Sequence, residues 1–204
     1  MQVRNIFSEP FHQGLRSSAA VLGLTLAIVS AAHAQTATTF EEAISPDYSY
    51  AEAVQQTSDG GYVVGATLSS MSYVALVAKL DSSGNLQWQK QYQSSIGSCA
   101  LYALNQTSDG GYVWGGYIQD STTYAEYAMV AKLDSSGDIQ WQKTSGIAEY
   151  ATDVRQTTDG GYIVGGVTPP STTIVQGCIA KLDSSGNCSG KKCLVPRRVS
   201  WPIR

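Results

Sequence analysis

One decapeptide recurs through this chain at a fixed interval. It reads QTSDGGYVVG from Gln56 to Gly65, QTSDGGYVWG from Gln106 to Gly115 and QTTDGGYIVG from Gln156 to Gly165, so the period is 50 residues. A second landmark follows each copy. It reads AKLDSSGNLQWQK from Ala78 to Lys90 and AKLDSSGDIQWQK from Ala131 to Lys143, and it starts again at Ala180 as AKLDSSGN. Self-similarity this close at this period restricts the chain to a repeat architecture: a solenoid, a propeller or an array.

Three units fill residues 48–187, at about 48–98, 99–149 and 150–187. Each reads as four strands. In the first unit, strand a spans Glu52 to Thr57 and ends at Asp59-Gly60, a strong hairpin dipeptide because both residues tolerate positive φ. Strand b, Tyr62 to Leu68, is rich in aromatic and β-branched residues. Strand c, Val74 to Leu80, is nearly unbroken apolar sequence, as in a strand covered on both faces. Asp81 to Asn85 forms the next tight turn, and strand d runs from Leu86 to Tyr92. The predicted fold is all-β: a partial β-propeller of about three four-stranded antiparallel blades in an open arc. Residues 35–47 read as a linker or first strand. Trp88 and Trp141, at one place on strand d, are expected to fill the wide outer gap between blades.

A four-stranded sheet with strands of about six residues has a face of roughly 400 Å². Leaving it wet forfeits about 5–10 kcal/mol, comparable to the stability of a typical domain. An arc of three blades has two open faces, so the isolated chain is expected to be marginal and to self-associate through them.

Residues 1–34 read as a secretory signal peptide. Arg4 and Arg16 precede an apolar run from Ala19 to Val29, and Ala32-His33-Ala34 places cleavage after Ala34. The run is too short to span a bilayer, and no integral membrane segment is expected after cleavage. The expected location is secreted, periplasmic or cell-surface. Both histidines, His12 and His33, lie in this segment. The remainder lacks the imidazole that Ser-His and Cys-His dyads and His-ligated metals require. Residues 35–187 carry 15 acidic against 6 basic residues, a net charge of −9, which argues against a nucleic-acid partner.

The pattern QTSDGGYVVG…AKLDSSGNLQWQK resembles the Gly-Tyr and Asp-Gly-Trp repeats of bacterial and archaeal secreted or cell-surface β-propeller proteins, distantly kelch-like. It also resembles the tryptophan-docking motif of quinoprotein propellers, although Asp81 and Gly84 are one residue closer than in that motif. The motif is structural there, so the resemblance implies a blade and no cofactor.

The repeat breaks after Asn187. The register predicts Leu-Gln-Trp-Gln-Lys, whereas the chain reads Cys188-Ser189-Gly190-Lys191-Lys192. Codons TGC AGT GGC AAA AAA encode the observed residues. Read in another frame, after an Asn codon ending in C, they give CTG CAG TGG CAA AAA, the expected ones. Residues 188–204 are therefore expected to be an out-of-frame, disordered tail, with five basic and no acidic residues. The competing reading is a small disulfide loop or metal site at Cys188 and Cys193, the latter short of ligands. Cys99 and Cys178 have no repeat equivalents and are expected to stay unpaired, although export permits a disulfide.

The recurrent acids Asp59, Asp109, Asp159, Asp81, Asp134 and Asp183 sit in Gly-containing turns, where Asp bonds the local backbone, so they are read as structural. In a four-stranded meander the a–b and c–d turns share one end and the b–c and d–a loops the other. The first pair is nearly invariant. The separation from Asp59 to Asp81 is 22 residues, against 25 for Asp109 to Asp134 and 24 for Asp159 to Asp183. Variation therefore gathers at one end of the propeller, where binding usually resides. The richest segment is Gln119–Glu126, and Asp120, Tyr124 and Glu126 are the candidate ligand-face residues. The other candidate segments are Ser69–Ser72, Gln93–Ser98, Ser145–Glu149 and Pro169–Thr173. No catalytic, cofactor or metal residue is expected. The favoured function is a non-catalytic binding or adhesion scaffold for an unknown surface ligand or protein. The alternatives are a fragment of a propeller enzyme, quinoprotein-like or carboxylate-based, and a gene remnant without function.

Overall fold

The computed structural model of the chain describes residues 24–25, 41–42, 49–69, 72–144, 148–168 and 176–193. The signal segment and the linker lie outside the described residues, apart from two short paired strands, β1 (Leu24–Thr25) and β2 (Glu41–Glu42). The remaining elements form three antiparallel four-stranded meanders. Blade 1 comprises β3 (Ser49–Gln56), β4 (Tyr62–Ser69), β5 (Tyr73–Leu80) and β6 (Leu86–Tyr92). Blade 2 comprises β7 (Gly97–Gln106), β8 (Tyr112–Asp120), β9 (Glu126–Leu133) and β10 (Ile139–Thr144). Blade 3 comprises β11 (Tyr150–Gln156), β12 (Tyr162–Thr168), β13 (Gln176–Leu182) and β14 (Cys188–Cys193). The all-β blade architecture expected from the repeat is the one observed.

The blades stack face to face. Strand β7 lies across β3, β4 and β5, and β11 lies across β7, β8 and β9. The inner strands β3, β7 and β11 therefore touch in succession and converge toward an axis, while the outer strands reach the next blade through long side chains. Trp88 meets Tyr112 edge-on at 5.8 Å, and Trp141 meets Tyr162 in the same way at 5.4 Å. Tyr92 donates to the Gly137 carbonyl at 2.7 Å. The tryptophans thus occupy the wide outer gap as expected. Two apolar clusters fill the wedges. One, around Leu101, Leu104 and Trp114, joins blades 1 and 2; the other, around Val130, Ala151 and Val154, joins blades 2 and 3.

The invariant turns carry more than local backbone bonds. Thr57 Oγ1 donates to Asp59 Oδ1 at 2.5 Å, and the Gly61 amide donates to the same oxygen at 3.0 Å. Lys79, buried, reaches from strand c to Asp59 Oδ2 at 2.9 Å and donates to the Leu80 carbonyl at 2.9 Å. Lys132–Asp109 and Lys181–Asp159 repeat the pair at 2.8 and 3.0 Å. The two glycines in each turn serve different ends. Gly60 has φ +82°, which favours glycine. Gly61 is needed for space, because a Cβ there would stand 2.3 Å from the Leu80 carbonyl oxygen and 2.6 Å from Lys79 Nζ.

Three expectations are corrected. Residues 188–193 were expected in a disordered tail, yet they form β14, which pairs with β13 from Leu182 to Cys178; residues 194–204 lie outside the described ones. Cys178 was expected to be unpaired, yet it is disulfide-bonded to Cys193, its direct cross-strand neighbour. Antiparallel pairing brings the two together, whereas sequence separation alone singles out neither. Cys99 is buried and free, and Cys188 is exposed and free. Finally, the β4–β5 face of blade 1 was expected to be wet, yet Leu76 and Ala78 are buried within a third apolar cluster. The exposure expected at the ends of the arc is found on β3 and on blade 3.

Candidate functional site

The a–b turns at 57–61, 107–111 and 157–161 and the c–d turns at 81–85, 134–138 and 183–187 share one end of the arc. Their acids are engaged within the turns. Asp81 Oδ1 accepts from the amides of Ser83 and Asn85 at 2.8 and 2.9 Å, and Asp134 and Asp183 do the same. Hydrogen bonds from the Asn85 side chain and amide hold the Asp81 carboxyl below its ordinary value. This end is a stapled surface of one design repeated.

The opposite end differs from blade to blade. Asp120 is a builder: its Oδ1 accepts from the amides of Thr122 and Thr123, both at 2.8 Å. The loop is closed by the Tyr124 amide on the Asp120 carbonyl and tied to the preceding connection by the Ser121 amide on the Ile96 carbonyl, both 2.8 Å. Tyr124 stands at its tip with φ +58° and 74 % exposure. A bulky residue in the left-handed region is an outlier held by its surroundings. Glu126, the third expected residue, turns inward. Its carboxylate accepts from Gln119 Nε2 at 3.1 Å and from the Tyr150 hydroxyl.

Glu126 leads to a cluster that loop reasoning missed. Tyr102 of β7, Tyr117 of β8 and Tyr150 of β11 lie in mutual ring contact, with centroids 5.1–6.2 Å apart. Burial first, then the bond and charge of Glu126, push the Tyr150 hydroxyl well above its ordinary value. Burial and the neighbouring Tyr102 and Glu126 push Tyr117 up to about 12. Tyr102 is raised by burial and by the charge of Glu52 from blade 1. Glu149 is raised by burial and by Glu126. All three blades thus contribute to one aromatic and acidic patch. Among the described ion pairs, none engages Glu52, Glu126 or Glu149, in contrast to the lysine-paired acids of the opposite end.

Tyr102 reaches the patch because strand a carries a bulge. The pairing of β3, β7 and β11 skips Glu52, Tyr102 and Thr152, one residue per blade at the same repeat position. A bulge re-aims the side chain it displaces. These residues line an open groove of about 430 Å³ along the inner strands, together with Gln55, Asn105, Asp153 and Arg155. In the sequence this position holds Glu52, Tyr102 and Thr152, but the next one varies as well (Ala53, Ala103 and Asp153), so the repeat alone does not single it out. The Gln93–Ser98 segment lines a second cleft of about 200 Å³ with Ile118, Met129 and Gln142–Thr144. Residues 169–173 lie outside the described ones. Among the described residues, no group of three or more His, Cys, Asp and Glu is placed to hold a metal ion.

No family model matches the chain, and no curated protein matches it. Among solved structures it is similar to a protein of unknown function from Bacteroides caccae. The identity is 12 %, the match covers 77 % of this chain and 71 % of that one, and the TM-score is 0.35.

Proposed function

We propose that this chain is a non-catalytic binding scaffold whose ligand face is the variable end of the propeller, centred on Tyr102, Tyr117, Tyr150 and Glu126. One observation carries the reading. Three blades that are nearly identical at one end bring different residues together at the other, in a patch rich in tyrosine. Tyrosine offers a large, rigid, amphipathic contact surface at small entropic cost, which suits recognition. Bulges and loops position it on a rigid frame. The lack of histidine beyond residue 33 removes the commonest general base and supports binding over catalysis. Export through the segment 1–34 would present this face to surface proteins or glycans.

The test is retention of cell-envelope protein and glycan fractions on the immobilised chain. Wild type is expected to retain a ligand, and Tyr150→Ala or Glu126→Gln to lose it. Recovery of nothing in either fraction counts against the reading. A quinone-type absorbance in the purified chain would favour an enzyme instead.

A second reading, that the repeat register is lost by a frameshift after Asn187, is supported by Gly190. It pairs with Lys181 where Trp88 pairs with Lys79, and a Cβ there would meet nothing within 4 Å. Resequencing the gene through codons 187–192 tests it; an in-frame Leu-Gln-Trp-Gln-Lys would identify the break as an error.

A further inference from the structure

We infer that the tyrosine-lined patch takes a cationic side chain, the guanidinium or ammonium group of a basic segment in a partner protein. The inference rests on the ligand reading above and gives that ligand a chemistry. The frame of the patch is aromatic. Tyr117 is 8 % exposed and packs the half-buried rings of Tyr102 and Tyr150, with centroids 5.6 and 5.1 Å away. Tyr73, at the start of β5 and 42 % exposed, acts electrostatically on both Tyr102 and Tyr117 and so stands beside them. Blade 1 thus adds a fourth ring. The π-system of a tyrosine attracts a cation.

Charge is a separate observation. Glu52 and Glu126 act on Tyr102, and Glu126 and Glu149 act on Tyr150, so one carboxylate from each blade junction bears on the same rings. Glu149 is itself raised by burial and by the like charge of Glu126. None of the three enters a described ion pair. The donors to Glu126 are neutral, Gln119 and the Tyr150 hydroxyl. The fold treats its other acids differently. Lys79, Lys132 and Lys181 each meet an aspartate of a stapled turn, and Arg155, which lines the adjoining groove, is engaged by Asp153 at 3.2 Å. The negative charge left at the rings is complemented by a cation brought from outside.

Shape selects a protein segment. Glu52 and Tyr102 belong both to the patch and to the open groove of about 430 Å³, which runs on past Gln55 and Asn105. A lysine or arginine lays its apolar stem on rings and holds its charged head among carboxylates, and the groove gives the flanking backbone a place to lie. A neutral glycan stacks on the rings but leaves the three charges unmet. Among the described residues, no three acids are placed to hold a bare metal ion.

NMR titration of the full chain with two capped peptides tests this: Gly-Arg-Gly-Arg-Gly, and the same peptide with citrulline at both arginines, which keeps the shape and loses the charge. The arginine peptide is expected to bind at least about tenfold more tightly. Glu52→Gln and Glu149→Gln, which break no described side-chain hydrogen bond, should each weaken it about threefold. The triple variant Glu52→Gln, Glu126→Gln, Glu149→Gln should bind both peptides alike. Asp138→Asn, a charge removed at the stapled end, should leave arginine binding unchanged. Equal binding of the two peptides by wild type, binding of neither, or arginine binding that survives the triple substitution would each overturn the inference. So would maltohexaose binding as tightly as the arginine peptide. Retention of envelope fractions separates the two readings: a ligand lost in Tyr150→Ala while wild type binds both peptides alike leaves the ligand face standing and removes its cation.

Discussion

Trp88 of blade 1 stands edge-on to Tyr112 of blade 2, with ring centroids 5.8 Å apart, and covers Gly137, where a Cβ would approach its ring to 2.8 Å. The Tyr of the first landmark and the Gly of the second are thus the two halves of the seat for the preceding blade's tryptophan. Trp88→Ala is expected to cost about 2–3 kcal/mol, somewhat below a fully buried truncation because Trp88 is only partly buried. Trp141→Ala should cost a similar amount, and the double variant the sum, since the sites lie in different interfaces. Urea unfolding measures all three. A loss under about 0.5 kcal/mol for either single variant would mean that the outer wedge contributes little.

Acid should weaken the fold through the lysine-stapled turns. Desolvation opposes ionisation of Asp109, but hydrogen bonds from Lys132, Thr107 and the Gly111 amide outweigh it and bring the carboxyl down to about 2. Thr57 and Thr157 first, then Lys79 and Lys181, depress Asp59 and Asp159. A depressed carboxyl contributes stability that is present above its unfolded value, near 3.8, and is lost as pH falls through the folded value. The melting temperature is therefore expected to fall between pH 4 and pH 2. Asp109→Asn should lose about 2 kcal/mol at neutral pH, because it leaves the buried Lys132 ammonium without its carboxylate, and should flatten the acid slope. An unchanged slope in that variant would assign the acid response elsewhere.

Much of the frame was legible because local chemistry and tertiary demand agree. Asp59-Gly60 and Asp81-Ser82-Ser83-Gly84 fix both turns of a blade, so strands b, c and d were bounded within a residue of β4, β5 and β6. What escaped notice runs against composition. Lys79, Lys132 and Lys181 look like surface residues by type. Yet each lies two residues from Val77, Val130 or Ile179 and so on the same sheet face, which in blades 1 and 2 stacks on the next blade, and their aspartates lie 20–23 residues away. Cys178–Cys193 was hidden because β14 follows a break in the repeat. At the variable end, Glu126 and Tyr124 were singled out because they sit in a variable loop. Tyr102 and Tyr150 were missed because they belong to strands, and only the bulge and the blade-to-blade packing turn them toward Glu126.

Adjacent glycines in one turn should respond differently to the same substitution. Gly110 has φ +79° with nothing near its missing Cβ, so Gly110→Ala should cost only the left-handed backbone penalty, about 1 kcal/mol. At Gly111 a Cβ would stand 2.3 Å from the Leu133 carbonyl oxygen and 2.6 Å from Lys132 Nζ. Gly111→Ala must displace the staple and should cost about 2–3 kcal/mol. Equal losses in chemical denaturation would show that the second glycine is not there for space.

The Cys178–Cys193 bond spans 15 residues and should contribute about 3 kcal/mol by restricting the unfolded chain. It ties β14, which carries five exposed residues among its six, to the buried edge of β13. Cys178→Ser is expected to raise amide exchange in β14 selectively, leaving β12 protected. Protection in β14 that is unchanged after reduction would show that its backbone ladder suffices.

Tyr124 gives the sharpest separation of stability from recognition. Its φ of +58° costs a bulky side chain about 1 kcal/mol that glycine would not incur, partly offset by the greater freedom glycine gives the unfolded chain. Tyr124→Gly is therefore expected to raise stability by about 0.5 kcal/mol, since the ring is largely exposed and buries little on folding. The same change should weaken retention of the envelope fractions, because the loop that Asp120 shapes would then present no ring. The proposed ligand role would account for a residue kept in a costly conformation on an exposed loop. If Tyr124→Gly destabilises the chain and leaves retention intact, the ring is packing for the loop and the ligand face lies deeper, at Tyr102, Tyr117 and Tyr150.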